Sequence, residues 1–157
     1  MRIPLTIIDK TGDDLEVRVN ASCRTGMPHV GVIQITFIVD TGSSRTTLSY
    51  LEAKKYGIPK SRLTPKQQTN IGGTRFRLHA FEESATIAFL DEDNKLQRFG
   101  LKPFCTEYPV FDGKRGGRKD EYAAESIPSL LGLDFLAQNG LTLNVNMHAR
   151  KAYIEKA

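Results

Sequence analysis

The sequence predicts a mainly β fold with two short helices in a single domain. Most of its 157 residues fall into short runs rich in β-branched and aromatic side chains, with turn-forming residues between the runs. Only two segments carry helix start and stop signals. A chain of this length can bury about 68–70% of its unfolded surface as one domain. The sequence therefore favours one domain over residues 1–157.

The first part of the chain indicates three strands. Residues 5–8, 15–19 and 30–39 are rich in β-branched side chains, as strands usually are. The segments 11–14 and 24–28 contain glycine together with aspartate or proline, which predicts turns between the strands. These strands begin the predicted sheet.

Capping signals locate the two predicted helices. Ser49 and Glu52 form a capping box, and Gly57 suits the position just beyond the last turn of a helix. The second helix follows Gly132 and is expected to stop at Gly140, again a glycine at a helix end. Both helices are predicted to be short.

The remaining segments predict further strands and one loop. Residues 67–90 form two extended runs around a glycine pair, and residues 96–108 continue the pattern. Residues 112–127 are polar and glycine-rich, which predicts a mobile surface loop. The chain closes with the alternating run 141–147 and a last strand through 152–154.

The composition argues against several classes of protein. A net charge of +4 and a pI of 9.1 are too modest to demand nucleic acid as a partner. No apolar run approaches the roughly 18 residues of a membrane span, and we expect no targeting segment and no membrane partner. Cys23 and Cys105 show no metal-ligand spacing, which predicts a reduced cytoplasmic protein without a metal or other cofactor.

Asp40 is the residue most indicative of chemistry. It ends an apolar strand and is followed at once by a turn that contains Gly42. A carboxylate placed beside buried strand is most often used for general acid/base catalysis. The alternative is an aspartate that only satisfies the amides of a local turn.

Two motifs together resemble a known family. The chain carries Asp-Thr-Gly-Ser at residues 40–43, Leu-Leu-Gly at residues 130–132, and a glycine-tipped hairpin between them. This order resembles the retropepsin-like, retroviral-type and pepsin-related aspartic proteases over about residues 28–156. The resemblance implies a closed β-barrel or sandwich with a flap hairpin. Residues 1–27 would then be an N-terminal strand extension.

The resemblance also implies that the chain holds half of an active site. Hydrolysis of a peptide by acid/base catalysis needs two carboxylates that share one proton. The sequence holds one Asp-Thr-Gly, at Asp40, so the enzyme would be a homodimer with two such residues facing each other across its axis. Thr41 would bond across this axis, and the Gly42 amide would donate to the carboxylates. The hydroxyl of Ser43 would bond to the adjacent carboxylate.

Further residues receive roles by the same resemblance. Ile71, Gly72, Gly73 and Thr74 would form the tip of a flap that admits and covers substrate, although an ordinary hairpin bend is the alternative. Arg45 would lie near the substrate. Retroviral members of the family usually pair an acidic residue with an arginine at two further positions, and this chain has Ser44 and Leu133 there.

Gly132 would allow tight packing beneath the catalytic loop.

The implied function is a cytoplasmic aspartic endopeptidase that hydrolyses extended peptides. The alternative is a dimeric peptide-binding or assembly module that keeps the fold without effective turnover. A domain cut from a larger chain also stays open.

Overall fold

The computed structural model describes residues 1–10, 14–71, 73–110 and 118–157. In this part of the chain, twelve strands, three α-helices and one short 3₁₀ helix are present. The mainly β prediction is therefore confirmed. The strands are β1 Arg2–Asp9, β2 Leu15–Arg24, β3 Ile33–Val39, β4 Thr47–Leu48, β5 Thr64–Ile71, β6 Thr74–Ala80, β7 Ala85–Leu90, β8 Leu96–Leu101, β9 Cys105–Pro109, β10 Ser129–Leu131, β11 Leu141–Asn146 and β12 Lys151–Lys156. The helices are α1 Tyr50–Lys55, 3₁₀ Lys60–Arg62, α2 Arg118–Glu125 and α3 Leu133–Asn139.

The strands follow one hydrogen-bonded path. Its order is β11-β12-β1-β2-β3-β10-β4-β9-β6-β5, and β7 pairs with β2 and β8. Most pairs are antiparallel, but β10 runs parallel to β3, and β4 runs parallel to β9. Within the described residues β11 and β5 end the path and do not pair with each other, so the closed barrel of the prediction is not confirmed.

The core explains why β3 forms a strand beneath the site. Ile33, Ile35 and Phe37 are buried, whereas the residues between them face solvent, which is the period-two pattern of a half-buried strand. Fully burying each such side chain stabilises the fold by about 1.5–3 kcal/mol. Strand β3 therefore has a fixed register, and it ends one residue before Asp40.

The two helices predicted from capping signals are confirmed as α1 and α3. Ser49 Oγ accepts a hydrogen bond of 3.2 Å from the Glu52 amide at the start of α1. Gly57 has φ of +63° just beyond this helix, and Gly140 has φ of +59° at the end of α3. Both glycines therefore take the left-handed conformation that ends a helix.

The loop predicted over residues 112–127 is wrong for its second half. Residues Arg118–Glu125 form α2, which packs near α1. Lys54 Nζ of α1 lies 2.9 Å from Glu121 Oε1 and 2.6 Å from Glu125 Oε1. The sequence of this segment is mostly polar, which is why a loop was predicted. The helix is supported by contacts with Lys54, a residue far away in the chain. The predicted part at 112–117 lies outside the described residues.

The predicted N-terminal strands form and join the sheet. Strand β1 pairs with β2 on one side and with β12 on the other. The start and the end of the chain therefore lie in neighbouring strands. No helix among the described residues is both long enough and apolar enough to cross a membrane.

Candidate active site

The fold brings the two sequence motifs together. Leu131 of β10 lies opposite Val39 of β3 in the parallel pair, and the Asp40 amide donates a 3.1 Å hydrogen bond to the Leu131 carbonyl. Gly132 follows directly, and the Leu133 amide donates to the Ser43 carbonyl at 2.9 Å. Segments about ninety residues apart in the chain therefore share one set of backbone hydrogen bonds.

A tight turn holds the Asp40 side chain. The Gly42 amide donates to Asp40 Oδ1 at 2.8 Å, and the Ser43 amide donates to the Asp40 carbonyl at 3.1 Å. A Cβ on Gly42 would lie 3.1 Å from Asp40 Oδ1, so a side chain there would crowd the carboxylate. The half-buried carboxylate is thus fixed by the backbone of its own turn.

Ser43 has a different partner from the one expected. Its hydroxyl donates to the Arg45 carbonyl at 2.7 Å, two residues further along the turn. A hydroxyl carries one donor, and here that donor closes the turn. The expected bond from this hydroxyl to the Asp40 carboxylate is therefore not made in the structure.

Thr46 connects the two motifs, and sequence reasoning did not single it out. Its fully buried hydroxyl accepts from the Gly132 amide at 2.9 Å and donates to Asp134 Oδ1 at 2.7 Å. Asp134 Oδ1 also accepts from the Phe135 amide at 2.8 Å at the start of α3. These bonds join the two motifs through a neutral hydroxyl.

Gly132 is closed in by backbone. A Cβ at this position would lie 2.6 Å from the carbonyl carbon and oxygen of Arg45 and 2.9 Å from the Ser43 carbonyl oxygen. Real Cβ atoms do not approach backbone so closely, so glycine is required for the contact. We call residues 40–46 together with Gly132 the floor of the site.

A cleft of about 360 Å³ opens above this floor. The floor contributes Asp40, Gly42, Ser43, Ser44 and Arg45, and β5 contributes Gln67, Gln68, Thr69 and Ile71. Four more lining residues, one each from β4, β6, β9 and β10, form what we call the wall of the cleft: Thr47, Leu78, Glu107 and Leu130. The β5–β6 hairpin and the Asp40 turn therefore border one cavity.

Three of the four predicted flap residues lie on this hairpin: Ile71, Gly73 and Thr74. Ile71 lines the cleft and pairs with Thr74 across the hairpin. Gly73 has φ of +83°, a conformation that favours glycine, and Gly72 lies outside the described residues. The structure thus brings Ile71 to the same cleft as Asp40 and Arg45. Thr41, within the floor, is exposed.

Glu107 is the site residue that sequence reasoning missed. It is 3% exposed in the middle of β9, and no hydrogen-bond partner for its Oε2 exists among the described residues. Burial raises the pKa of the Glu107 carboxyl to about 7. The nearby Thr47 hydroxyl opposes this rise without reaching hydrogen-bond geometry. The sequence signal that could have indicated Glu107 is a carboxylate within the short strand Cys105–Pro109.

A metal site is absent from the described part of the chain. No group of three or more histidine, cysteine, aspartate or glutamate residues there is placed to hold a metal ion. The chemistry available to the described floor and wall is that of the carboxyl groups of Asp40 and Glu107, the hydroxyl groups, the backbone amides and the Arg45 guanidinium.

This pairing of an aspartate turn with a glycine loop fits the resemblance to retropepsin-like aspartic proteases. Comparison with known families agrees, since residues 29–135 match the model of a family described as aspartyl protease. The chain therefore belongs to the aspartyl protease family, and its resemblance to retropepsin-like proteases is confirmed.

A solved structure shares the fold over nearly the whole chain. It is a retropepsin-like aspartic protease from Rickettsia conorii, with a TM-score of 0.53 and 17% sequence identity. The match covers 99% of this chain and 98% of the other. Residues 1–27 are therefore within the shared length. A search of curated proteins finds no match.

Proposed function

We propose that the chain is an aspartic endopeptidase that works as a homodimer on extended peptides. One observation carries this proposal: Asp40 is fixed by the Gly42 amide and lines the cleft that the β5–β6 hairpin also borders. Each chain contributes one such turn, and acid/base hydrolysis needs two carboxylates that share a proton. A second copy of the chain would supply the second carboxylate.

The proposed reaction uses water and forms no covalent intermediate. One Asp40 carboxylate accepts a proton from water as the water oxygen attacks the peptide carbonyl carbon. The protonated Asp40 of the other chain donates its proton to the carbonyl oxygen. Return of these protons to the amide nitrogen and the carboxylate breaks the C–N bond and releases the two products.

The neighbouring residues support these steps. The Gly42 amide already donates to Asp40 Oδ1, so it holds the carboxylate in place during proton transfer. Exposed Thr41 is proposed to bond to the partner chain, and Gly72 and Gly73 are proposed to let the flap move. Arg45 lines the cleft, where we propose that it contacts polar or acidic substrate side chains.

We also propose that the enzyme works in the cytoplasm. Cys23 and Cys105 are both free and buried. Burial raises the pKa of the Cys23 thiol to about 12 and that of the Cys105 thiol to about 11, which keeps both in the unreactive thiol form. Free thiols of this kind fit a reducing compartment.

Cleavage of a peptide library tests the catalytic role of Asp40. Wild type and Asp40→Asn are compared across about pH 3–7, with Asp93→Asn in an exposed turn as the matched control. The amide cannot exchange protons as a carboxyl does, so cleavage should fall by about 10²–10⁴-fold, with the dimer retained in light scattering. Equal cleavage by both proteins would refute the proposal. A wild type that binds peptides without cleaving them would support the binding-module alternative.

Mixing the two proteins tests the half-site separately. Asp40→Asn is added in about ninefold excess under conditions where subunits exchange. About one in ten of the wild-type chains then has a wild-type partner, so cleavage per wild-type chain should fall about tenfold. Asp93→Asn added in the same excess should not lower it. Unchanged cleavage after Asp40→Asn is added would show that one chain carries a complete site.

A further inference from the structure

Glu107 lies at the same cleft as Asp40 but on a different strand. It occupies the middle of β9, opposite Leu78 of β6, and both side chains line the wall. Leu130, another wall residue, is the first residue of the Leu-Leu-Gly motif. A peptide held at Asp40 would therefore place a neighbouring side chain against this wall.

The carboxyl of Glu107 has unused hydrogen-bonding capacity. It is 3% exposed, and its Oε2 has no partner among the described residues. The hydroxyl of Thr47, which is 2% exposed and also on the wall, is likewise without one there. Buried polar groups in proteins are nearly always hydrogen-bonded, so an unpaired carboxyl oxygen and an unpaired hydroxyl on the wall of a cleft have capacity to bind a ligand.

Glu107 is separate from the catalytic pair. Burial and the Thr47 hydroxyl account for the change in its pKa, and the Asp40 charge does not contribute. Two carboxyls that shared a proton would influence each other strongly. Burial, and not a shared proton, is therefore the main cause of the raised pKa of Glu107.

The other charged groups nearby leave Glu107 unpaired. Asp40 and Arg45 belong to the floor, and Lys66 and Asp134 act on the neighbouring thiol of Cys105. No ion pair joins Glu107 to any cation in the described part of the chain. The cleft thus presents a guanidinium at its floor and a carboxyl on its wall.

We infer that Glu107 determines specificity by binding a basic side chain, lysine or arginine, of the peptide substrate. This inference deepens the proposed peptidase function and rests on it. A basic side chain supplies the missing donor and neutralises the ionised carboxyl, and its aliphatic stem packs on Leu78 and Leu130. Selection for such a side chain should strengthen above pH 7, where Glu107 loses its proton.

Matched peptides test this role. Each pair is built on a peptide that the wild type cleaves and differs only in lysine or norleucine, which has a similar stem without the ammonium group. The pairs cover each position beside the cleaved bond. The enzymes are wild type, Glu107→Leu, Glu107→Gln and the exposed control Glu82→Gln, each assayed at pH 5 and pH 8.

At one position the wild type should prefer lysine by about tenfold at pH 8 and less at pH 5. Glu107→Leu should abolish this preference, Glu107→Gln should make it weak and independent of pH, and Glu82→Gln should retain it. An unchanged preference in Glu107→Leu would overturn the inference. So would loss of cleavage of every peptide in Glu107→Gln, because that would place Glu107 in the chemistry.

A binding assay separates this inference from the proposed function. Fluorescent lysine and norleucine peptides, at both pH values, are titrated into Asp40→Asn with Glu107 intact or changed to Leu. Preference for lysine that depends on Glu107 would support the inference even if the wild type cleaves nothing. Equal binding of both peptides by both proteins would overturn it whatever the activity.

Discussion

The floor and the wall of the cleft differ in how far their polar groups are hydrogen-bonded. On the floor, Asp40 accepts from Gly42, Ser43 bonds to Arg45, and the Thr46 hydroxyl joins Gly132 to Asp134. On the wall, the Thr47 hydroxyl and Glu107 Oε2 are buried and unpaired among the described residues. The hydrogen bonds of the floor are therefore formed before substrate arrives, whereas the wall has groups with hydrogen-bonding capacity left for a ligand.

This difference indicates that the floor contributes to the stability of the fold and that the wall contributes to selectivity for the ligand. Pre-formed hydrogen bonds keep a catalytic group in position and also stabilise the fold. Buried groups left unpaired reduce stability, and natural proteins keep such costs mainly at functional sites. Substitutions that break contacts in the floor should therefore destabilise the protein. Replacing the unpaired Glu107 of the wall by an apolar residue should stabilise it.

The largest effect is expected for Gly132→Ala in the floor. The new Cβ would meet the Arg45 backbone at 2.6 Å, which forces the two motifs apart. We expect a loss of about 3 kcal/mol in the free energy of unfolding, measured by urea titration, together with lower cleavage. Gly31→Ala is the matched control because a Cβ there meets nothing within 4 Å. Equal stability of the two variants would contradict the packing described for the floor.

In the wall, Glu107→Leu should have a large effect of the opposite sign. Folding raises the pKa of this carboxyl from 4.5 to about 7, so its contribution to the stability of the wild type is greatest below pH 4.5 and is lost as pH rises through 7. The loss is about 3 kcal/mol by pH 8. Leucine removes this dependence, so its advantage in urea titrations should be large at pH 8 and small at pH 5. An advantage of Glu107→Leu over the wild type that is the same at both pH values would show that Glu107 is solvated.

A smaller effect is expected for Thr46→Val in the floor. Valine has nearly the same shape but leaves the Gly132 amide without its partner and removes one donor to Asp134. The free energy of unfolding should fall by about 2 kcal/mol, and kcat should fall more than KM changes, since the floor positions the catalytic group. Thr36→Val, at an exposed hydroxyl bonded to Asn20, should change both values little. Comparable losses in the two variants would contradict the bridging role of Thr46.

Much of the floor was predictable because its signals are local. The Asp40 turn, the glycine of the second motif and the caps of α1 and α3 are short patterns in which each residue type has one physical reason. The hydroxyl of Ser43 shows the limit of such patterns. Its expected and observed partners, Asp40 and Arg45, lie three and two residues away, and only the turn geometry decides between them.

The parts that could not be predicted depend on distant segments. Helix α2 was expected to be a loop because it is polar, and its contacts with Lys54 come from a segment more than sixty residues earlier. Glu107 looks like an ordinary strand residue until β4, β6 and β10 surround it. Burial of this kind is a property of the assembled fold and has no local sequence signature.

The packing around Gly132 also has a genetic consequence. The atoms that a Cβ there would strike belong to the backbone of Ser43 and Arg45, and every amino acid has those atoms. No change of side chain at either residue would remove the clash. A search for second-site suppressors of Gly132→Ala should therefore recover reversion to glycine far more often than compensating substitutions at its neighbours.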